Sequence, residues 1–235
     1  MAAASATLRF LTNDVCPFAH RAWLALEASG AAYEKVHVSI APGTKEAFFT
    51  ETYVRSLGAN EGSDGKVPVI VDGDFVMCES APVAAYVDET RGGGRLAGAS
   101  AQDRAVIAIV NSSAGDRVMQ KFYPYLMGQT DEAKAKGKAD FEAALGAFSD
   151  ALAKRGGPFI LGSAVSLADT NVWPFWVRAQ VCLGHYRGWT CPTEERFAPL
   201  LKWAAAMSEL PWVQKTAVDK DVFVIGYEKY AMGAK

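Results

Sequence analysis

Residues 7–30 read TLRFLTNDVCPFAHRAWLALEASG, and this stretch decides the fold. Thr7–Thr12 (TLRFLT) has the composition of a short strand, and Asn13-Asp14-Val15-Cys16-Pro17 breaks it. From Phe18 to Ser29 the spacing is helical. Pro17 stands where a helix tolerates proline, at its first position, and Gly30 stands where a helix ends. A cysteine therefore sits at the junction of a first strand and its following helix. Working outward, Tyr33–Ile40 (YEKVHVSI) alternates as a half-buried strand. Pro42-Gly43 turns the chain into a weakly patterned helical stretch, Lys45–Ser56, and a Gly-, Asn- and Ser-rich loop, Gly58–Gly65, follows. Val67–Val71 and Phe75–Cys78 are β-rich runs joined through Asp72-Gly73, a strong hairpin signal. Glu79–Arg91 returns to helical spacing and stops at Gly92-Gly93-Gly94. The order β-α-β-α-β-β-α predicts one sheet with helices on its faces, which is an α/β domain.

Beyond the glycine triplet the strand signals nearly vanish. Gln102–Met127 is helical in composition, and Asp131–Arg155 carries a stripe of Phe141, Leu145, Phe148 and Leu152 at helical steps. Ser166–Gly184 is predicted as a third helix, with Ser166 as N-cap and Asp169 completing an acidic capping box. Arg196–Leu210 reads as a fourth, and the tail Pro211–Lys235 as short and mixed. A small α/β domain, residues 1–92, is thus expected to precede an all-α domain, residues 99–235, with the boundary near Gly92–Gly98.

Composition narrows the class of function. Of 235 residues half are hydrophobic and 21% charged, enough apolar material for a real core. The formal charge is −2 and no Lys/Arg cluster stands out, so nucleic acid is not an expected partner. No apolar run approaches the roughly 18 residues of a membrane span. Met1–Phe10 lacks a basic segment ahead of an apolar one, so no secretory signal is expected and the reading is cytoplasmic. The four cysteines, Cys16, Cys78, Cys182 and Cys191, form neither a disulfide framework nor, with the histidines, a zinc ligand set. No metal is expected, and each cysteine needs its own explanation.

Cys16 is the first candidate for chemistry. At a helix N-terminus, free backbone N–H groups and the positive end of the macrodipole favour thiolate over thiol, and can lower a cysteine pKa from about 8.5 to below 7. A dithiol switch on this helix needs a second cysteine at position 19, where Ala19 stands, so only a monothiol mechanism remains. The second candidate is Lys66-Val67-Pro68-Val69 leading into Glu79-Ser80. Proline at the entrance to a strand leaves a backbone face on Val67 that could pair with an extended, peptide-like ligand. Glu79 and Ser80 open a helix, where a hydroxyl and backbone N–H groups suit a carboxylate. Taken alone, that pair reads as an ordinary cap and first-turn acid. His20 reads as a surface or packing residue, and the aromatic clusters Phe122, Tyr123, Tyr125, Trp173, Phe175 and Trp176 as mostly core. Cys78, Cys182 and Cys191 read as inert, Cys191 being the most exposed of the three by its loop position beside Pro192.

Cys16-Pro17-Phe18-Ala19-His20-Arg21, then Val67-Pro68-Val69, then Glu79-Ser80, in that order, resemble the cytosolic glutathione transferases of the cysteine type. These are the omega, lambda and dehydroascorbate-reductase-like classes. The resemblance extends to Lys45-Glu46-Ala47-Phe48-Phe49, Trp173-Pro174-Phe175-Trp176-Val177-Arg178 and Pro199-Leu200-Leu201-Lys202-Trp203. It implies a thioredoxin-like first domain with a cis-proline at Pro68, followed by an all-α second domain. By the same resemblance Cys16 is the catalytic thiol, forming a mixed disulfide with glutathione, and Phe18 lines the glutathione site. The Val67 backbone pairs with the cysteinyl part, Glu79 and Ser80 take the γ-glutamyl end, and Lys45 meets the glycine carboxylate. The loop Arg55–Gly65 departs from the omega pattern by its insertion-like length.

The implied activity is glutathione-dependent thiol transfer or dehydroascorbate reduction, with glutathione as co-substrate and weak conjugation as a side activity. The chain is expected to act as a monomer or homodimer. Two rivals differ in class: a non-catalytic carrier of hydrophobic ligands on the same fold, and a membrane-inserting relative like the chloride-intracellular-channel proteins.

Overall fold

A computed structural model of the chain describes residues 7–41 and 43–233, the segment 113–120 by its backbone only. Pro42, half of the expected Pro42-Gly43 turn, lies outside the described residues, as do Met1–Ala6 of the segment read for a signal. The chain divides into two compact units, one ending at Arg95 and the other starting at Leu96.

Unit 1 is built on a four-stranded sheet in the order β2-β1-β3-β4. The central strand β1 (Leu8–Thr12) pairs in parallel with β2 (Tyr33–His37), Phe10 opposite Lys35. On its other side β1 pairs antiparallel with β3 (Val69–Asp72), Phe10 opposite Ile70. The β4 strand (Phe75–Cys78) returns from β3 as a hairpin. Parallel neighbours need a crossover, and α1 (Pro17–Ser29) supplies it. Pro17 opens α1, Gly30 closes it in the left-handed conformation, and Ala19, Ala22 and Ala25 let its buried face approach its neighbours closely. After β2 come α2 (Ala47–Val54) and, after the hairpin, α3 (Ser80–Arg91). This is the expected β-α-β-α-β-β-α order and a thioredoxin-like domain. Its core gathers Leu11, Val38, Phe49, Tyr53, Val67, Val69 and Val76, with Cys16 packed half-buried against it.

Differences from the sequence reading are local. Asp72 pairs with Phe75, so the two turn residues are Gly73 and Asp74, one step later than the Asp72-Gly73 signal suggested. β2 stops at His37, opposite the last residue of β1, Thr12; the Val38 N–H still reaches the Thr12 carbonyl, and beyond it the side chain of Asn13 takes over, its Nδ2 donating to the Val38 carbonyl at 2.8 Å.

Unit 2 is helical. The stretch expected as one helix over Gln102–Met127 is α4 (Ala101–Ile109), a π-helical turn (Val110–Ala114) and α5 (Gly115–Met127). The interruption falls on Asn111-Ser112, residues whose side chains compete with helical hydrogen bonds, and Ser112 Oγ donates to the Ile109 carbonyl. The 23-residue α6 (Asp131–Ala153) is capped by Thr130 and buries Phe141, Leu145 and Leu152 of the expected stripe. α7 (Leu167–Arg178) continues through a second π-helical turn, Ala179–Leu183, into α8 (Gly184–Arg187). The sequence reading ended this helix at Gly184. That glycine keeps a helical φ of −57°, and Gly188 (φ 62°) supplies the left-handed cap. A 3₁₀ turn (Glu195–Phe197) precedes α9 (Ala198–Ser208), and the tail folds as α10 (Pro211–Gln214) and α11 (Lys220–Ala231).

Asp169, buried at the start of α7, organises this unit. Its carboxyl accepts from the Ile160 and Ser166 N–H groups, from Ser166 Oγ and from Trp203 Nε1, all at 2.8–2.9 Å. The Ser166–Asp169 capping box is thus present and also reaches α9. Trp203 is met edge-on by Trp173 and Trp176, which are core, and by the half-buried Phe148. Among the described residues no helix is long and apolar enough to cross a membrane.

Candidate active site

The turn between β1 and α1 is shaped by Asn13. Its Oδ1 accepts from the Val15 N–H at 3.0 Å, and its carbonyl accepts from the Cys16 N–H at 3.0 Å. This Asx-type turn delivers Cys16 in an extended conformation (φ −75°, ψ 118°) as the N-cap of α1, its carbonyl taking the first helical bond from His20.

Val67 and Pro68 meet the cysteine from the other side of the unit. The Val67–Pro68 peptide bond is cis, as the family resemblance implies. The Cys16 thiol lies 3.9 Å from the Val67 carbonyl oxygen, so two segments 51 positions apart converge on one sulfur. Val67 is buried just ahead of β3, outside the strand ladder.

A second group is built on the same helix. Phe18, in the first turn of α1, is exposed by 42%. The Arg21 guanidinium lies 4.9 Å from the centre of the Phe18 ring and donates through Nη1 to Ser80 Oγ at 3.4 Å. Ser80, buried, is the first residue of α3, and the exposed Glu79 before it is the only non-glycine residue with positive φ (75°) among those described. A side chain held in that sparsely populated conformation is one the surroundings over-determine. Glu79 and Ser80 thus present a carboxylate and a helix-opening hydroxyl side by side.

Lys45 stands apart from both groups. Its Nζ pairs with Asp64 at 2.7 Å and also donates to the Gly65 carbonyl, bracing the loop that leads to Val67. The start of the Arg55–Gly65 loop is anchored too: Leu57 bridges to the outer edge of β4, its N–H on the Val76 carbonyl and its carbonyl on the Cys78 N–H.

The remaining cysteines are chemically quiet. Burial pushes the Cys78 thiol up, and pushes Cys182 up to about 12. Cys191 is half-buried, and its desolvation, with Glu142 and Glu194 nearby, takes it up to about 11. His20 is buried with its ring 5.6 Å from that of Trp23, a packing role. Among the described residues no group of three His, Cys, Asp or Glu side chains is arranged to hold a metal ion. Sequence reasoning missed Asn13 and Arg21. Asn13-Asp14 ahead of Cys-Pro was a readable turn signal, and a charged residue on the apolar face of α1 was a readable anomaly.

Residues 15–90 match the family model of the glutathione S-transferase N-terminal domain, and residues 131–206 that of the C-terminal domain. A glutathione S-transferase-like protein of Beauveria bassiana, OpS6, is 30% identical over 84% of this chain and 88% of its own length. The chain belongs to the glutathione S-transferase family. Within that family it is also similar to glutathione S-transferase DHAR2 of Arabidopsis thaliana, 26% identical over 91% of this chain and 89% of that one. The crystal structure of the dehydroascorbate reductase of Chlamydomonas reinhardtii superimposes with a TM-score of 0.75 at 25% identity, covering 97% of this chain and all of the other. As a glutathione S-transferase, the protein carries its Cys-Pro-Phe element in the domain that the first family model matches.

Proposed function

We propose that the protein is a cysteine-type glutathione transferase that reduces small oxidised substrates, mixed disulfides or dehydroascorbate, through a Cys16–glutathione disulfide. The observation that supports this most is the half-buried Cys16 at the N-cap of α1, its thiol 3.9 Å from the Val67 carbonyl beside cis-Pro68. The likeness to the dehydroascorbate reductase of Chlamydomonas reinhardtii points the same way.

On this reading residues 1–92 form the glutathione-binding domain and residues 99–235 the helical partner. The Val67 backbone, ahead of Pro68, pairs with the cysteinyl unit of glutathione. Ser80 and the α3 N-terminus take the γ-glutamyl carboxylate, Glu79 its ammonium group, and Phe18 covers the peptide. Lys45 takes the glycine carboxylate; its present partner Asp64 is 59% exposed, so exchanging that ion pair costs little. Arg21, held between Phe18 and Ser80, keeps both in register.

For a substrate R–S–S–G, the Cys16 thiolate attacks the glutathionyl sulfur, forming Cys16–S–S–G and releasing RS⁻, which takes a proton. The thiolate of a second glutathione then attacks that same sulfur, giving oxidised glutathione and restoring Cys16. A helix N-terminus that stabilises the Cys16 thiolate also makes it a good leaving group in the second step. With Ala19 one turn away, resolution falls to external glutathione. Dehydroascorbate enters differently: the Cys16 thiolate adds to a carbonyl carbon, a first glutathione thiolate attacks the Cys16 sulfur to form Cys16–S–S–G and expel ascorbate, which takes the protons, and a second glutathione restores Cys16, so that two glutathiones supply two electrons and two protons.

The test is intact mass after incubation with oxidised glutathione. Wild type gains one glutathionyl group, and Cys16→Ser gains none and loses thiol transferase activity, whereas Cys78→Ser, Cys182→Ser and Cys191→Ser keep both. An intramolecular disulfide from Cys16 as the main oxidised species would overturn the reading.

A further inference from the structure

Unit 2 contains an apolar cavity of about 210 Å³ that shares no residue with the groups around Cys16. Val106, Ile109 and Val110 wall it from α4 and the π-helical turn, Leu152 from α6, Ile160 from the next loop and Val172 from α7. An engineered apolar cavity of roughly 150 Å³ stays dry and admits benzene, so this one accommodates a single aromatic ring with a short tether. Apart from Arg155 its described lining side chains are all aliphatic or aromatic, and a polar group carried deep inside would lose its hydration without compensation.

The charge at this cavity is of one sign. Among its lining residues only Arg155 is ionisable. It lies just past the C-terminus of α6, is exposed, and forms no ion pair with a described residue. A guanidinium is a planar fork suited to a carboxylate. We infer that this cavity is a second ligand site, which takes a small aryl carboxylate with its ring among the aliphatic walls and its carboxylate on Arg155. It is separate from the glutathione reading and does not depend on it.

Fluorine NMR titration of the full chain tests this, with para-fluorophenylpropionate and the matching propionamide as probes. Ala151 lines the cavity and is exposed, so Ala151→Trp fills the space without disturbing the core. The carboxylate should bind wild type saturably, about five- to tenfold tighter than the amide, the size of one partly solvated charge-assisted pair. Arg155→Gln should erase that preference and leave the amide's affinity unchanged. Ala151→Trp should release both probes, whereas Cys16→Ser and saturating S-methylglutathione should affect neither. The proposal falls if binding is not saturable, or if wild type holds the two probes alike. It also falls if Ala151→Trp retains them or if S-methylglutathione displaces them.

Discussion

Iodoacetamide at neutral pH should modify one of the four cysteines, and the structure sets how selectively. Alkylation proceeds through thiolate, so each rate scales with the ionised fraction. A free cysteine of pKa about 8.5 is roughly 3% ionised at pH 7. Cys191, pushed up to about 11, is ionised to about one part in ten thousand, and Cys182, at about 12, to about one in a hundred thousand. Ionisation alone therefore slows Cys191 by about 300-fold and Cys182 by about 3,000-fold relative to a free thiol. Their rates should climb tenfold per pH unit up to those values, because burial raises both. Cys16, at a helix N-terminus, should outpace a free thiol in ionised fraction and level off below pH 8.5. Peptide mapping by mass spectrometry, sampled over time between about pH 6 and 10, reads all four at once. The reasoning is refuted if Cys182 or Cys191 in the folded protein is labelled within tenfold of Cys16 at pH 7, or if the Cys16 rate still rises above pH 9.

Ser80→Ala should raise KM for glutathione about tenfold and leave kcat within about twofold, because it removes binding common to ground and transition states. Steady-state kinetics check this, and a large fall in kcat at unchanged KM would contradict it. Asp169→Ala strands the Trp203 indole N–H and the Ile160 and Ser166 amides in a dry interior. At about 1–3 kcal/mol per buried donor, less what is regained by no longer burying a carboxyl, the loss should be about 3–5 kcal/mol. Urea unfolding followed by tryptophan fluorescence measures it, and a loss under about 1 kcal/mol would mean that the carboxyl is not the joint between α7 and α9.

What could be read from the sequence was mostly what neighbouring residues decide. Pro17 and Gly30 bracket α1 by their own backbone preferences, and Ser166 with Asp169 announces α7 within four residues. The structure adds pairings that no local pattern carries. Leu57 finds the edge of β4, Arg21 reaches Ser80 across 59 positions, and Trp203 donates to an aspartate 34 positions earlier. Helix α11 was hidden for another reason. Its buried positions Phe223, Tyr227 and Ala231 recur every four residues, yet Val222 and Ile225 are exposed and blur the stripe. Within the site, Cys16 and Val67 were legible from composition and order, whereas their convergence needed the sheet.

The loop between α2 and Pro68 is fastened at both ends: Leu57 on β4, and Asp64 with Gly65 on Lys45. Between those fastenings the tip at Glu61-Gly62 is a solvent-facing turn. Chain added there reaches Val67 only through the second fastening, where the Gly65 carbonyl stays on Lys45 even when Asp64 gives way to a ligand carboxylate. Doubling the length of such a loop costs only about 0.6 kcal/mol in closure entropy. The tip is thus a natural place for evolution to vary length, and for an experimenter to graft an epitope or a fluorophore, while the geometry opposite Cys16 stays fixed.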